Sequence, residues 1–148
     1  MILDELQQTL HHSIPLTQAM GIRVHSFTDG TLSLFAPLEK NYNHKSTAFG
    51  GSLYSLSVLT GWSLIHLLLQ QEALSGHIVI HKSQTRFLKP VDGNLLTRCQ
   101  FESEKERLLF LKTYRRKGIA RIKLNVHLSQ ENIPEPQLLF TGEYVVHR

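Results

Sequence analysis

Residues 43–62 read NHKSTAFGGSLYSLSVLTGW, and this run holds most of the groups in the chain that are placed to do chemistry. Asn43 brings an amide and His44 an imidazole. Gly50 and Gly51 bring main-chain N–H groups, and Ser52 and Ser55 bring hydroxyls. The Gly-Gly pair stands directly before a long apolar segment. The first N–H groups of a helix have no internal acceptor and carry the positive end of its dipole, so they suit a carbonyl oxygen on which negative charge develops. Glycine lets a reacting group approach the main chain closely. Asn43 can hold a water or that carbonyl, and His44 can exchange a proton near neutral pH. Ser55 lies one turn beyond Gly51 but lacks an identified base. Plainer readings stay open: tight loop packing for the glycines, solvation for His44 and packing for Ser55.

These groups need elements to position them. Leu3, Leu6, Leu10 and Ile14 recur at helical spacing up to Pro15, predicting a first amphipathic helix. Ile22 and Val24, then Thr31 to Ala36, predict two strands joined at Asp29-Gly30, a hairpin signal. Pro37 to Phe49 reads as loop. Ser52 to about Leu74 reads as the central helix, with Ser75-Gly76 as its stop. Ile78 to Leu88 and Leu95 to Phe101 read as a further strand pair about the turn Pro90-Val91-Asp92-Gly93. A capping pattern at Ser103 and Glu106, an apolar face of Leu108, Leu111 and Tyr114, and Gly118 at the far end predict a short helix. Ala120, Ile122, Leu124, Val126 and Leu128 alternate with polar residues as a half-buried strand does, and Leu139 to His147 forms the last one. Strand pairs interleaved with helices predict an α+β fold, an antiparallel sheet with helices on one face. The central helix is apolar nearly all round, so the sheet must curl about it or a second subunit must cover it.

Asn43-His44-Lys45, the stretch Thr47-Ala48-Phe49-Gly50-Gly51-Ser52-Leu53, Gly61-Trp62, Phe87-Leu88-Lys89-Pro90-Val91 with Gly93, and Gly118-Ile119-Ala120-Arg121-Ile122 occur in an order that resembles the hot-dog fold superfamily. Within it the chain is most similar to the YiiD-type thioesterase domain, which occurs alone or behind an acetyltransferase domain. The resemblance implies a curved antiparallel sheet of about six strands wrapped around a long central helix. It implies that residues 1–148 form a single domain, pairing as a homodimer or dimer of dimers. It also implies hydrolysis of an acyl thioester of coenzyme A or of an acyl carrier protein, in a tunnel between the central helix and the partner subunit. Gly50 and Gly51 would then stabilise the oxyanion, Asn43 would position water or carbonyl, and His44 would serve as base. Phe49, Ser52 and Val58 would contact the substrate. Lys82, Arg86 and Lys89 would meet the phosphates of coenzyme A or a phosphopantetheine arm, although charges alternating along a strand also suit a solvated face. Coenzyme A or phosphopantetheine enters as part of the substrate, with no separate cofactor.

Related hot-dog thioesterases commonly carry a histidine before the Gly-Gly and a carboxylate two turns into the helix. Here Phe49 and Val58 occupy those positions. Valine supplies neither base nor nucleophile, so a non-catalytic acyl-thioester binding module is the rival reading, and a hydratase or dehydratase ranks third.

Composition narrows the remaining classes. With 148 residues and net charge +4, the chain has the length of one ordinary domain. The sole cysteine, Cys99, sits in an alternating run and reads as a packing residue. Asp4 and Glu5 stand where an export signal needs basic residues, so a cytoplasmic location is expected. Leu53 to Leu69 is interrupted by serines, Thr60, Gly61 and His66, and reads as a buried helix and not a membrane span. Lys112, Arg115, Arg116 and Lys117 cluster near a predicted helix end, where cations complement the dipole, so no nucleic-acid partner is expected. His77 and His81 have no HExxH or Cys/His companions, so no metal is expected. No Walker loop, Gly-x-Ser-x-Gly elbow or dinucleotide fingerprint occurs.

Overall fold

The computed structural model describes residues 1–148. The first helical pattern becomes α1 (Ile2–Ser13), followed by the single turn α2 (Leu16–Ala19). Leu6 and Leu10 of α1 are fully buried. Its flank closes the edge of the first strand: Gln7 Oε1 accepts the Val24 N–H at 3.0 Å and His11 Nε2 lies 2.8 Å from the Ile22 carbonyl. Strands β1 (Arg23–Thr28) and β2 (Thr31–Ala36) form the expected hairpin. Asp29 and Gly30 both take positive φ, 52° and 79°, as a two-residue turn matched to strand twist requires.

The remaining elements are α3 (Gly50–Gln71), β3 (His77–Phe87), β4 (Leu95–Gln100), α4 (Glu104–Lys117), β5 (Ile119–Gln130) and β6 (Leu138–His147). All six strands form one antiparallel sheet in the order β1-β2-β4-β5-β6-β3. The sheet curves around α3, so the hot-dog arrangement expected above is borne out. Along β5 the burial alternates as read from the sequence, and Leu138, Phe140, Tyr144 and Val146 continue the inward layer on β6.

One expected pairing is corrected. β3 and β4 are not partners: β3 lies on the outer edge beside β6, and β4 sits between β2 and β5. Residues 88–94 cross the end of the sheet over three strand spacings, roughly 14 Å, which seven extended residues span easily. Gln137 secures that crossing, donating from Nε2 to the Pro90 carbonyl at 2.9 Å and accepting the Leu88 N–H at its own carbonyl at 2.9 Å.

Smaller differences have local causes. Helix α3 begins at Gly50, two residues before Ser52, and ends at Gln71, where Ala73 at φ 54° turns the chain. Gly76 is required for another reason, since a β-carbon there would overlap the Tyr114 hydroxyl. On α4, Ser103 accepts the Glu106 N–H at 3.1 Å and Gly118 closes the helix at φ 72°. Its buried face is Phe110, Leu111 and Tyr114, with Leu108 exposed, because Phe110 takes the inward place beside Leu111.

By length and mean hydropathy, 22 residues and 1.4, α3 qualifies as a bilayer-crossing helix, which the interrupted run Leu53–Leu69 does not suggest. It is nonetheless the core of this fold, with Leu53, Leu56, Leu59, Leu64, Ile65, Leu67, Leu68 and Leu69 buried against the sheet. At about 1.5–3 kcal/mol per buried side chain, those contacts dominate what holds α3 in place. Two polar pins set its position along the sheet. Tyr144 donates to the Val58 carbonyl at 2.7 Å across the notch left by Gly61. On the other flank the hydroxyls of Thr60 and Thr97 stand 2.7 Å apart, and Thr97 also accepts the Leu34 N–H at 3.1 Å, so Thr60 is a buried core contact. Burial pushes the Cys99 thiol up to about 12, so it is an inert packing group.

Candidate active site

The loop before α3 is held from below. Asn41 is buried; its Nδ2 donates to the carbonyls of Met20 and Pro37 at 2.8 Å each, and its main-chain carbonyl accepts the Phe49 N–H at 2.7 Å. Ala48 N–H reaches the Val91 carbonyl at 2.7 Å, so the 88–94 crossing forms a shelf beneath the loop. Asn43 organises the tip. Its Oδ1 accepts from the Lys45 N–H at 2.8 Å and the Thr47 N–H at 3.2 Å, while Nδ2 donates to Thr47 Oγ1 at 2.9 Å. The amide expected to hold water or a carbonyl is thus engaged within its own loop. His44 beside it is exposed, and its ring makes no hydrogen bond in the chain.

Phe49 takes the N-cap position with φ −64° and ψ 132°, and the Ser52 and Leu53 N–H groups return to its carbonyl at 2.9 and 3.0 Å. The N–H groups of Gly50 and Gly51 have no acceptor in the chain. They form the pair of free donors that the sequence leads one to expect, at the positive end of a 22-residue helix. Two exposed rings flank them. Phe49, 57% exposed, lies so close to Gly51 that a β-carbon there would stand 2.9 Å from its Cζ. Phe87, also 57% exposed, would meet a Gly50 β-carbon at 3.7 Å. The two free donors therefore sit between apolar surfaces.

Ser52 and Ser55 are half-buried on the first turns of α3, and Ser55 makes no hydrogen bond. Val58 is half-buried, and with Ser55, Trp62 and His66 it forms a stripe of α3 that the rest of the chain covers only in part. Trp62 and His66 stack at 5.0 Å, and burial holds the His66 imidazole below its ordinary pKa. No carboxylate lies on α3, and Glu72 at its end is paired with Arg115 at 2.8 Å and Arg107 at 3.8 Å, so neither provides a base for the Gly-Gly end.

Strand β3 runs alongside these turns. A bulge between Ile80 and Lys82 shifts its phase, so that Ser83, Thr85 and Phe87, opposite Gly142, Phe140 and Leu138, face α3. Lys82 and Arg86 stand on the outer face, and Lys89 lies beyond the strand, exposed. The structure therefore brings together Phe49, Gly50, Gly51, Ser52 and Ser55, and it sets Lys82 and Arg86 apart from them within one chain. A groove of ≈ 820 Å³ lies between α1 and the β1–β2 edge and includes no residue of 43–58. Its side chains Gln7 and His11 are already bonded to main chain, and we give it no part in the chemistry.

The family model described as "Putative thioesterase (yiiD_Cterm)" matches residues 3–148. The chain belongs to the YiiD C-terminal family. Among solved structures, a protein of unknown function from Chlorobaculum tepidum is 32% identical with a TM-score of 0.93, covering 99% of this chain and 94% of that one. A protein described as a putative thioesterase from Shewanella oneidensis is 33% identical with a TM-score of 0.85, covering 99% and 97%. A thioesterase from Haemophilus influenzae, 15% identical with a TM-score of 0.75 and covering 98% and 90%, shares the fold.

Several residues near the Gly-Gly end of this YiiD-family domain escape a sequence reading. Asn41 looks like any loop asparagine until its clamp on Met20 and Pro37 is seen. Tyr54 touches both Ser83, through hydroxyls 2.7 Å apart, and the ring of Phe140, at 5.8 Å between centroids. The available signal was on β3, where hydroxyl residues replace apolar ones at the helix-facing positions 83 and 85.

Proposed function

We propose that this domain hydrolyses an acyl thioester, of coenzyme A or of an acyl carrier protein, in the cytoplasm, with the thioester carbonyl seated before α3. The observation that carries this reading is the pair of free N–H groups at Gly50 and Gly51 between the exposed rings of Phe49 and Phe87. The family match and the thioesterase among the fold relatives support it. As the carbonyl carbon is attacked, charge moves onto its oxygen, and two preorganised donors stabilise that charge more than they stabilise the ground state. Phe49 and Phe87 exclude water from one side, and Val58 and Trp62 continue an apolar track along α3 for the acyl chain. Asn43 acts by fixing the loop, and His44, exposed at the loop's tip, is the titratable group next to it.

The same reading includes a homodimer formed on the β3 edge. α1 covers the outer edge of β1, whereas the outer edge of β3 is bare over 11 residues and carries exposed Val79 and Phe87. A long uncovered edge beside a half-covered helix stripe is the surface that a second copy would complete. Lys82 and Arg86 remain candidates for the substrate's phosphates once that copy is in place.

One observation favours the rival reading of a binding module without chemistry: Val58 provides no base, and Glu72 is held by two arginines. Thiol release from butyryl-, octanoyl-, dodecanoyl- and palmitoyl-coenzyme A, measured on protein whose mass is checked by sedimentation, separates the two. The hydrolase reading expects turnover of at least one substrate by a dimer. Absence of turnover in a folded dimer that binds a non-hydrolysable analogue would favour the binding module.

A further inference from the structure

On β5 and β6 the helix-facing positions are apolar or glycine except Tyr144, whose hydroxyl is paired with the Val58 carbonyl, and Ile78 and Ile80 on β3 are apolar too. The row changes character at Ser83 and Thr85, alongside the first turns of α3. Ser83 is paired with Tyr54. Thr85 differs: its Oγ1 is buried and has no hydrogen-bond partner. Thr97, an inward threonine on β4, shows the ordinary solution, with its hydroxyl shared between Thr60 and the Leu34 N–H. An unpaired buried hydroxyl costs stability, and a position that keeps one in a native fold calls for an explanation outside the fold.

Its neighbours locate it. Thr85 is opposite Phe140, whose ring meets Tyr54, and two residues further along β3 the Phe87 ring lies over Gly50. Thr85 therefore stands between Tyr54 and Gly50, over the turns that end in the two free N–H groups. No hydrogen bond fixes its χ1, and one step of χ1 exchanges hydroxyl and methyl. A hydroxyl is able both to accept from a water and to donate, as orienting an attacking water requires.

Building on the thioesterase reading, we propose that Thr85 is a catalytic residue whose hydroxyl holds the hydrolytic water against the thioester carbonyl received by Gly50 and Gly51. In that step the water oxygen bonds to the carbonyl carbon, the carbon–sulfur bond breaks, and one water proton ends on the departing thiolate. Thr85 orients the water and is unchanged at the end.

The test is steady-state hydrolysis, together with thermal unfolding, of wild type, Thr85→Val and Thr85→Ser. Valine keeps the shape and β-branching and removes the hydroxyl. The expected result for Thr85→Val is a fall in kcat of about a hundredfold from a misplaced water, with KM within about twofold. Its Tm should rise by about 2–4 °C because an unpaired buried polar group is gone, and Thr85→Ser should retain most of the activity. A gain in stability with a loss of kcat is a signature that a purely structural role does not produce. Turnover by Thr85→Val equal to wild type overturns the proposal while leaving the thioesterase reading intact. Wild type that hydrolyses none of the panel overturns both.

Discussion

Gly50→Pro is expected to lower thioester turnover by about 10²–10³-fold in a protein that stays folded, the loss that follows when one donor of an oxyanion site is removed. The local geometry makes this variant clean. Gly50 is the first residue of α3, where proline is well tolerated because that N–H has no partner within the helix. Phe49 before it is already extended at φ −64° and ψ 132°, the conformation a following proline favours. Circular dichroism and Tm close to wild type would establish that the donor, and not the helix, was lost. Gly51→Ala serves as a contrast, since it retains its N–H but presses on the Phe49 ring, and it should lose less. Turnover by Gly50→Pro within about threefold of wild type would remove the Gly50 N–H from the mechanism.

The largest stability effect is expected at Gly61. Alanine is better than glycine in a helix by about 1 kcal/mol, so an exposed helical glycine would gain from the change. Here the added β-carbon would stand 2.6 Å from Tyr144 Cζ and closer still to its hydroxyl. Tyr144 is fully buried and cannot step aside without breaking its hydrogen bond to the Val58 carbonyl. Overpacking of about 1–3 kcal/mol and a lost buried hydrogen bond of about 1 kcal/mol outweigh the propensity gain. Gly61→Ala should lose about 2 kcal/mol net, and its Tm should fall by about 4–8 °C. Urea and thermal unfolding measure this directly, and an unchanged or raised midpoint would show that Tyr144 does not pin α3.

What the sequence made legible were the features fixed by near neighbours. Leu6 and Leu10 at helical spacing, Asp29-Gly30 between alternating runs, Ser103 and Gly118 at the ends of α4, and the β5 alternation each state a local preference strongly enough to survive folding. The β3–β4 relation was not legible, because Pro90 to Gly93 has the chemistry of a hairpin turn while strand order is decided by which edges remain to be paired. β6 pairs with both β5 and β3, and the crossing that results becomes the shelf that holds Ala48. At the site, the free donors at Gly50 and Gly51 could be read in advance because any helix start leaves such groups unpaired. The role of Asn43 could not, since an asparagine side chain bonds to whichever groups the loop presents, and here those are Lys45 and Thr47. The positions of Lys82 and Arg86 turned on a single bulged residue, which moved them to the outer face.

The proposed hydrolysis turns on an acyl carbonyl being received by the Gly50 and Gly51 N–H groups. Amide NMR of the labelled protein tests it most directly, with titration by a ketone analogue of acyl-coenzyme A in which a methylene separates sulfur from carbonyl. Downfield shifts of the Gly50 and Gly51 amide protons are expected on binding, with the Asp29-Gly30 hairpin unmoved. Binding that leaves both glycine amides in place and shifts residues elsewhere, such as those of the groove between α1 and β1, would contradict it.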